Sequence, residues 1–256
     1  MPPLYSPDLS GRVAFITGAS KGIGLAIARG LAQAGARVVI SSRKADGIEA
    51  AAQTLQSEQL DVYARVCHTG SLASIHEAIS WTASAFGRLD ILVNNAATNP
   101  FYGPIQEADE RLFDKIMEVN VRGPFSLSKA AYPLLKASGA GSILNISSVE
   151  ALRPDAGLGL YSMSKAALLS LTQVLAKEWG PDGIRVNTMC PGIVKTKFSE
   201  ALWSDETLMR ELRRKVPLGR IATPDEMAGL ALFLASDAAS YCTGGVYLAD
   251  GGYVLA

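Results

Sequence analysis

Thr17-Gly18-Ala19-Ser20-Lys21-Gly22-Ile23-Gly24 follows a short apolar run, Arg12–Thr17, and leads straight into a segment with apolar residues at helical spacing: Ile23, Ile27, Leu31 and Ala34. Gly35 stands where a left-handed residue ends such a helix, and a second apolar run, Arg37–Ile40, comes next. Strand, glycine-rich turn, helix and strand make a βαβ unit. In that context glycines let the chain turn tightly, admit a pyrophosphate close to the backbone and pack the helix on its strand, while the free amides of the helix N-terminus attract the anion. Glycines alone would mark only a turn. Their place between the first strand and the first helix points to dinucleotide binding.

Working outward, further strands are expected near Val62–Cys67, Leu89–Asn94, Ser142–Ser147, Arg185–Cys190 and Val246–Ala249, separated by helical segments long enough for crossovers. This alternation predicts an α/β fold: a doubly wound, Rossmann-type parallel sheet of about seven strands with helices on both faces. Residues 1–256 read as a single domain, with a ligand crevice at the carboxyl ends of the strands. Leu158–Trp179 reads as one long helix with a wide apolar surface, broken by Gly180-Pro181. That surface covers the sheet or meets a second subunit, and the sequence leaves both open.

Composition narrows the function classes. The chain has 256 residues, 48% of them hydrophobic, and 24 basic against 24 acidic side chains. No net field draws nucleic acid or anionic membrane, so neither is expected as a partner. No apolar run nears the ~20 residues that cross a bilayer. The start lacks the basic and apolar regions of a secretory signal, and Val254-Leu255-Ala256 is no peroxisomal address, so cytoplasm is the expectation. Cys67, Cys190 and Cys242 are odd in number and far apart, which suits reduced, packed thiols. With only His68 and His76, and no cysteines or carboxylates clustered beside them, no metal site is expected.

Tyr161 and Lys165 lie four residues apart in the long helix and share one face. A free phenol titrates near pH ~10, and an adjacent fixed cation favours the phenolate, which makes proton exchange feasible. Ser147 and Ser148 follow an apolar strand, and alternate residues face opposite ways, so one of the two points into the crevice. Asn120 falls inside a helical reading, where an amide satisfies backbone groups or serves the site.

The spacing Gly18-x-x-x-Gly22-x-Gly24 differs from the commoner Gly-x-Gly-x-x-Gly. It resembles the short-chain dehydrogenase/reductase family, and the likeness continues in order through Asn94-Asn95-Ala96-Ala97, Asn120, Ser148, Tyr161-x-x-x-Lys165 and Pro191-Gly192. The resemblance implies four catalytic residues. Ser148, thirteen residues before the tyrosine, orients the substrate oxygen. Tyr161 exchanges the proton, Lys165 supports it, and Asn120 distorts its helix and holds a water that links Lys165 to solvent. It also implies that Asn94 and Asn95 steady the sheet on the adenosine side, that Ala97 replaces a common glycine without harm, and that members commonly form homotetramers.

Cofactor contacts are expected from Gly18, Ser20, Lys21, Gly22, Ile23 and Gly24 in the first turn, Asn95 and Ala96, Tyr161 and Lys165, and Pro191, Gly192, Val194 and Thr196 near the nicotinamide. An NAD enzyme places a carboxylate after the second strand, whereas this chain has Ser41-Ser42-Arg43-Lys44. Ser42 and Arg43, with Lys21, suit a 2′-phosphate, so NADPH/NADP+ is expected over NADH. The cations also suit the start of a solvated helix. His68 stands where family members carry an aspartate near the adenine. The segment Lys197–Arg220 should cover the site, with Phe198, Leu202, Trp203, Leu208 and Met209 inward, or else simply dock on the domain. Local strings resemble carbonyl and retinal reductases within the family. They imply reversible reduction of ketones, α-dicarbonyls or retinal-like substrates, in a pocket of Asn99, Phe101, Leu158 and Trp203. The alternatives are 3-oxoacyl-thioester reduction and a non-catalytic nucleotide sensor or scaffold.

Overall fold

A computed structural model of the chain describes residues 7–203 and 206–255. Seven parallel strands form one sheet in the order β3-β2-β1-β4-β5-β6-β7. They are β1 (Val13–Thr17), β2 (Arg37–Ser42), β3 (Val62–Val66), β4 (Ile91–Asn94), β5 (Ser142–Ile146), β6 (Arg185–Pro191) and β7 (Val246–Ala249). Each expected strand is present, with ends shifted by at most two residues. The order reverses between β1 and β4, and crossovers on the two sides of that switch point open a crevice at the strand ends.

Strand residues alternate between two cores. Ala14 and Ile16 of β1 pack with α1 (Gly22–Gln33), α2 (Ala45–Ser57) and α9 (Glu226–Ala235). Val13 and Phe15 face the opposite layer, formed by α3 (Leu72–Phe86), α5 (Gly123–Ala137) and α6 (Gly159–Trp179). All five residues of β1 are buried, as expected of a strand covered on both faces. Gly35 adopts φ +94° just past α1, the left-handed stop that its place suggested.

A line of buried polar side chains fixes α5 and α6 on the sheet. Asn94 Nδ2 donates to Ser128 Oγ at 3.2 Å and to Asn145 Oδ1 at 2.8 Å. Asn145 Nδ2 donates to Thr172 Oγ1 at 2.8 Å, and Thr172 shares a hydrogen bond with Thr188 at 2.6 Å. Inside a core such groups carry a large penalty if left unpaired, so the network selects one register of helix against sheet. Asn94 therefore steadies the central sheet as expected.

Two helices were not separable in the sequence. α4 (Glu110–Met117) runs into a π turn at Glu118–Arg122 before α5 begins. The segment after β6 carries α7 (Glu200–Trp203) and α8 (Glu206–Lys215). The side chains of Leu202 and Leu208, expected on its inner face, lie outside the described residues. No helix among the described residues is long and apolar enough to cross a membrane.

Candidate active site

The glycine turn sits at the switch point, and its glycines are required by geometry. Gly18 and Gly22 have φ of +65° and +60°, and a Cβ on Gly18 would lie 2.8 Å from the Ala96 Cα. A Cβ on Gly24 would meet the Asn95 amide and stand 2.6 Å from the Gly18 carbonyl oxygen. Asn95 Nδ2 donates to the Thr17 and Gly18 carbonyls at 2.8 and 3.0 Å, while Thr17 Oγ1 accepts the Asn95 and Ala96 amides, each at 3.0 Å. The end of β4 is thereby riveted to the turn. Lys21 caps α1 without a side-chain hydrogen bond, and the first turn holds no acidic residue, so its amides and dipole face the crevice uncompensated. This cradle fits a dinucleotide pyrophosphate.

At the end of β2, Ser41 is buried and donates to the Ile16 carbonyl at 3.1 Å, so only one of the two adjacent hydroxyls remains near the surface. That one, Ser42, donates to the Lys44 carbonyl at 3.1 Å. Lys21, Arg43 and Lys44 are exposed, and no carboxylate among the described residues pairs with them. His68 is held by its own turn: its Nδ1 accepts the Gly70 amide at 3.1 Å, and Glu118 lies close by.

The loop after β6 closes the other side. Gly192 passes so near Asp250 that a Cβ would stand 2.7 Å from its Cα. Val194 is buried and pairs with Ala222. A Cβ on Gly22 would lie 3.3 Å from Thr196 Cγ2, which brings the two expected cofactor loops together. The amide and hydroxyl of Thr196 are both engaged by Ser199, and its carbonyl accepts the Trp203 Nε1 proton at 2.8 Å.

Tyr161, Lys165 and Ser148 meet at the carboxyl ends of β5 and β6. The choice between the two serines is decided by hydrogen bonding: Ser147 is buried and donates to the Lys165 carbonyl at 2.8 Å, whereas Ser148 is half-buried and adjoins the Tyr161 phenol. Lys165 is 2% exposed, donates to the Ile146 carbonyl at 2.8 Å and holds its ammonium 5.6 Å from the Tyr161 ring centre. The Phe198 ring is tilted by 43° to that of Tyr161, with the ring centres 5.9 Å apart.

Burial decides the protonation states. It penalises the ammonium and pulls Lys165 down to about 8. The protein packed around Tyr161 pushes its phenol well above the ordinary range, the Ser148 hydroxyl opposing and Glu150 and Cys190 reinforcing the rise. Spacing alone suggests a phenol acidified by its lysine; in the folded chain desolvation is the largest influence on Tyr161 and keeps the phenol protonated at neutral pH. Burial likewise lifts Cys67 to about 11 and raises Cys190, so both thiols stay protonated.

Asn120 sits inside the π turn and is fully buried. Its Oδ1 accepts the Thr98 amide at 2.8 Å, and its Nδ2 donates to the Thr98 carbonyl at 2.9 Å and to Ser164 Oγ at 3.0 Å. Ser164 in turn donates to the Tyr161 carbonyl at 2.7 Å. Both amide hydrogens are used, so any water at this residue is held by acceptor oxygens, which a π turn frees along the backbone.

The four expected pocket residues come from three separate segments of the chain. Trp203 faces Lys195, 5.2 Å from its ring, and both line a cavity of about 670 Å³ with Arg210, Arg213 and Arg214. Asn99 and Phe101 lie on the loop after β4, which docks by the Gly103 amide on the Gly157 carbonyl at 3.1 Å, next to Leu158 at the start of α6. Sequence reasoning passed over Glu150, a buried carboxylate two residues beyond Ser148; the signal was a lone acid within Val149-Glu150-Ala151-Leu152. Among the described residues no group of three His, Cys, Asp or Glu side chains converges to hold a metal ion.

A family model described as enoyl-(acyl carrier protein) reductase matches residues 18–254. Dehydrogenase/reductase SDR family member 4 of Sus scrofa is 44% identical over 95% of this chain and 88% of its own. The Homo sapiens protein of the same name is 42% identical over the same shares. Among solved structures, a gluconate 5-dehydrogenase from Burkholderia cenocepacia in complex with NADP and tartrate superposes with a TM-score of 0.94 at 34% identity, covering 99% of both chains. A short-chain type dehydrogenase/reductase from Mycobacterium marinum gives 0.92 at 33% identity, again over 99% of each.

Proposed function

Because the chain belongs to the short-chain dehydrogenase/reductase family, we propose that it is an NADPH-dependent reductase of carbonyl groups in ketones, α-dicarbonyls or retinal-like substrates, with Tyr161 as the proton donor. It is an oxidoreductase, and the observation that carries the reading is the meeting of Tyr161, Ser148 and Lys165 at the carboxyl ends of β5 and β6. When bound, the nicotinamide supplies the hydride. Tyr161 gives its proton to the carbonyl oxygen, so that hydride and proton together make the alcohol. Ser148 donates a hydrogen bond to that oxygen and stabilises its developing charge. Lys165 holds positive charge near the phenolate that remains, and Asn120 fixes the helix turn between them. Oxidation of an alcohol runs the same path backwards.

Three exposed cations, Lys21, Arg43 and Lys44, support a cofactor that carries a 2′-phosphate, and three of the similar solved structures contain NADP. Arg43→Ala is expected to raise the NADPH Michaelis constant about tenfold with little change for NADH, since a charge-assisted hydrogen bond contributes about 1.5–3 kcal/mol before solvent screening. An unchanged NADPH constant, or a wild type that prefers NADH, contradicts the assignment.

The pH dependence follows from Lys165. Its ammonium is present below about 8 and lost above it. The phenolate left by proton donation then loses its counter-charge, so the reductive kcat is expected to fall as pH rises through about 8. A profile flat well past that point opposes the role given to Lys165.

Absorbance at 340 nm with both reduced cofactors and a panel of ketones, dicarbonyls and alcohols tests the reading. Turnover with NADPH is expected; binding without turnover on any member favours a nucleotide sensor. Lys195, Arg210, Arg213 and Arg214 around one cavity favour a second reading, reduction of 3-oxoacyl thioesters or other anionic substrates, which adding a 3-oxoacyl thioester to that panel separates. Phe125, Met163 and Val174, each about half exposed on α5 and α6, support self-association, for which the family resemblance implies a homotetramer and which sizing tests.

A further inference from the structure

Glu150 is only 7% exposed, yet the proton transfer makes no direct use of its carboxylate. Its amide donates to the Ser148 hydroxyl at 3.2 Å. Its Oε2 accepts the Ser162 hydroxyl at 2.7 Å and the Asp155 amide at 3.0 Å. Ser162 directly follows Tyr161 in the first turn of α6. One residue thus grips both the turn that presents Ser148 and the helix turn that presents Tyr161. Burying an acid is costly, and an apolar side chain fills such a space at lower cost, so packing alone does not account for the choice.

We infer that Glu150 is a positioning residue for the proton transfer, tying the turn of Ser148 to the first turn of α6 through the Ser162 hydroxyl so that hydroxyl and phenol keep their spacing. This rests on Tyr161 being the proton donor. Asn120 makes the matching tie on the other side through Ser164, so the phenol is held between two clamps, at residues 162 and 164. The Glu150 clamp alone of the two carries a titratable group. Burial pushes its carboxyl up, the Asp155 amide and Ser162 hydroxyl pull it down, and the Asp155 carboxylate adds to the rise. Tyr253, from the C-terminal turn, donates its hydroxyl to Asp155 at 2.8 Å, and Arg153 donates to the Tyr253 carbonyl. Facing Tyr161 itself are Ser148, Lys165, Cys190 and the Phe198 ring. Ionised Glu150 therefore disfavours the phenolate as well as holding the turn.

Three variants separate the two effects: Glu150→Ala and Ser162→Ala open the clamp, while Glu150→Gln keeps an acceptor and removes the charge. Steady-state reduction with NADPH is measured across the alkaline limb, and thermal unfolding of the cofactor-free proteins gives a readout independent of turnover. Glu150→Ala and Ser162→Ala are each expected to lower kcat about tenfold at an unchanged KM for NADPH, because small displacements of reacting groups are costly. Their effects on kcat and on the unfolding midpoint are expected to be non-additive in the double variant. Glu150→Gln keeps an acceptor for the Ser162 hydroxyl and is expected to recover most of the kcat that alanine loses. Wild-type kcat in both alanine variants, additivity in both readouts, or a Glu150→Gln kcat no higher than that of Glu150→Ala overturns the inference. If Glu150→Ala does not fold, Ser162→Ala decides, and a wild-type kcat there overturns it. Turnover retained by Tyr161→Phe overturns the proposed reaction and this inference together, whereas its loss beside unaffected Glu150 and Ser162 variants overturns this inference alone.

Discussion

Tyr161→Phe is expected to lower turnover by about three orders of magnitude or more, since a positioned general acid contributes roughly 10²–10⁴ and no other donor replaces it here. Lys165 is a poor substitute: it is buried, donates to the Ile146 carbonyl and holds its ammonium 5.6 Å from the centre of the Tyr161 ring. Ser148 has a hydroxyl, but its ordinary acidity is far too low to supply the proton, and its oxygen already accepts the Glu150 amide. The ring of phenylalanine keeps the packing against Phe198. NADPH affinity is therefore expected to stay within about twofold, measured by quenching or transfer of protein fluorescence, so that the whole loss falls on kcat. Near-normal turnover in this variant contradicts the mechanism, and loss of cofactor binding shows that the change disrupted the fold instead.

Gly24→Ala carries the second large effect, and it acts on binding. The added methyl group meets the Asn95 amide and the Gly18 carbonyl oxygen. The carbonyl is backbone and cannot swing away, and Asn95 is held by the Thr17 and Gly18 carbonyls it bonds. To make room, α1 has to lift from the turn, which moves its N-terminal amides off the place where a pyrophosphate would sit. NADPH affinity is expected to fall about 100-fold, equivalent to roughly 2.7 kcal/mol. Overpacking of this kind also costs about 1–3 kcal/mol of stability, seen as a lower midpoint in thermal unfolding. Wild-type affinity in a folded Gly24→Ala protein means that the cofactor does not bind against this turn.

The fold was legible because its signals are local and repeated. Each strand is a short apolar run, each crossover has helical spacing, and Gly35 marks a stop that the backbone then obeys with positive φ. Tyr161 and Lys165 were legible for the same reason, since four residues along a helix define a face. What the sequence left undecided depended on contacts across the chain. The alternation of Ser147 and Ser148 shows that they differ, but the Lys165 carbonyl, which claims Ser147, arrives from another element. Of the adjacent hydroxyls Ser41 and Ser42, the first is claimed by the Ile16 carbonyl of β1, a partner that arrives from another strand. The acidity of Tyr161 was argued from its nearest charge, whereas the packing of several segments around it sets the sign. Glu150 escaped notice because its partners, Ser162 and Asp155, become neighbours only when the loop before α6 folds back.

A crystal structure with NADP+ and a non-reacting carbonyl or alcohol analogue tests the central claim most directly. The account predicts the analogue oxygen within hydrogen-bond reach of both Tyr161 Oη and Ser148 Oγ, with its carbon facing the nicotinamide ring and Lys165 behind the phenol. Tyr161 and Lys165 turned away from the nucleotide, with the analogue oxygen bound by other groups, would contradict it.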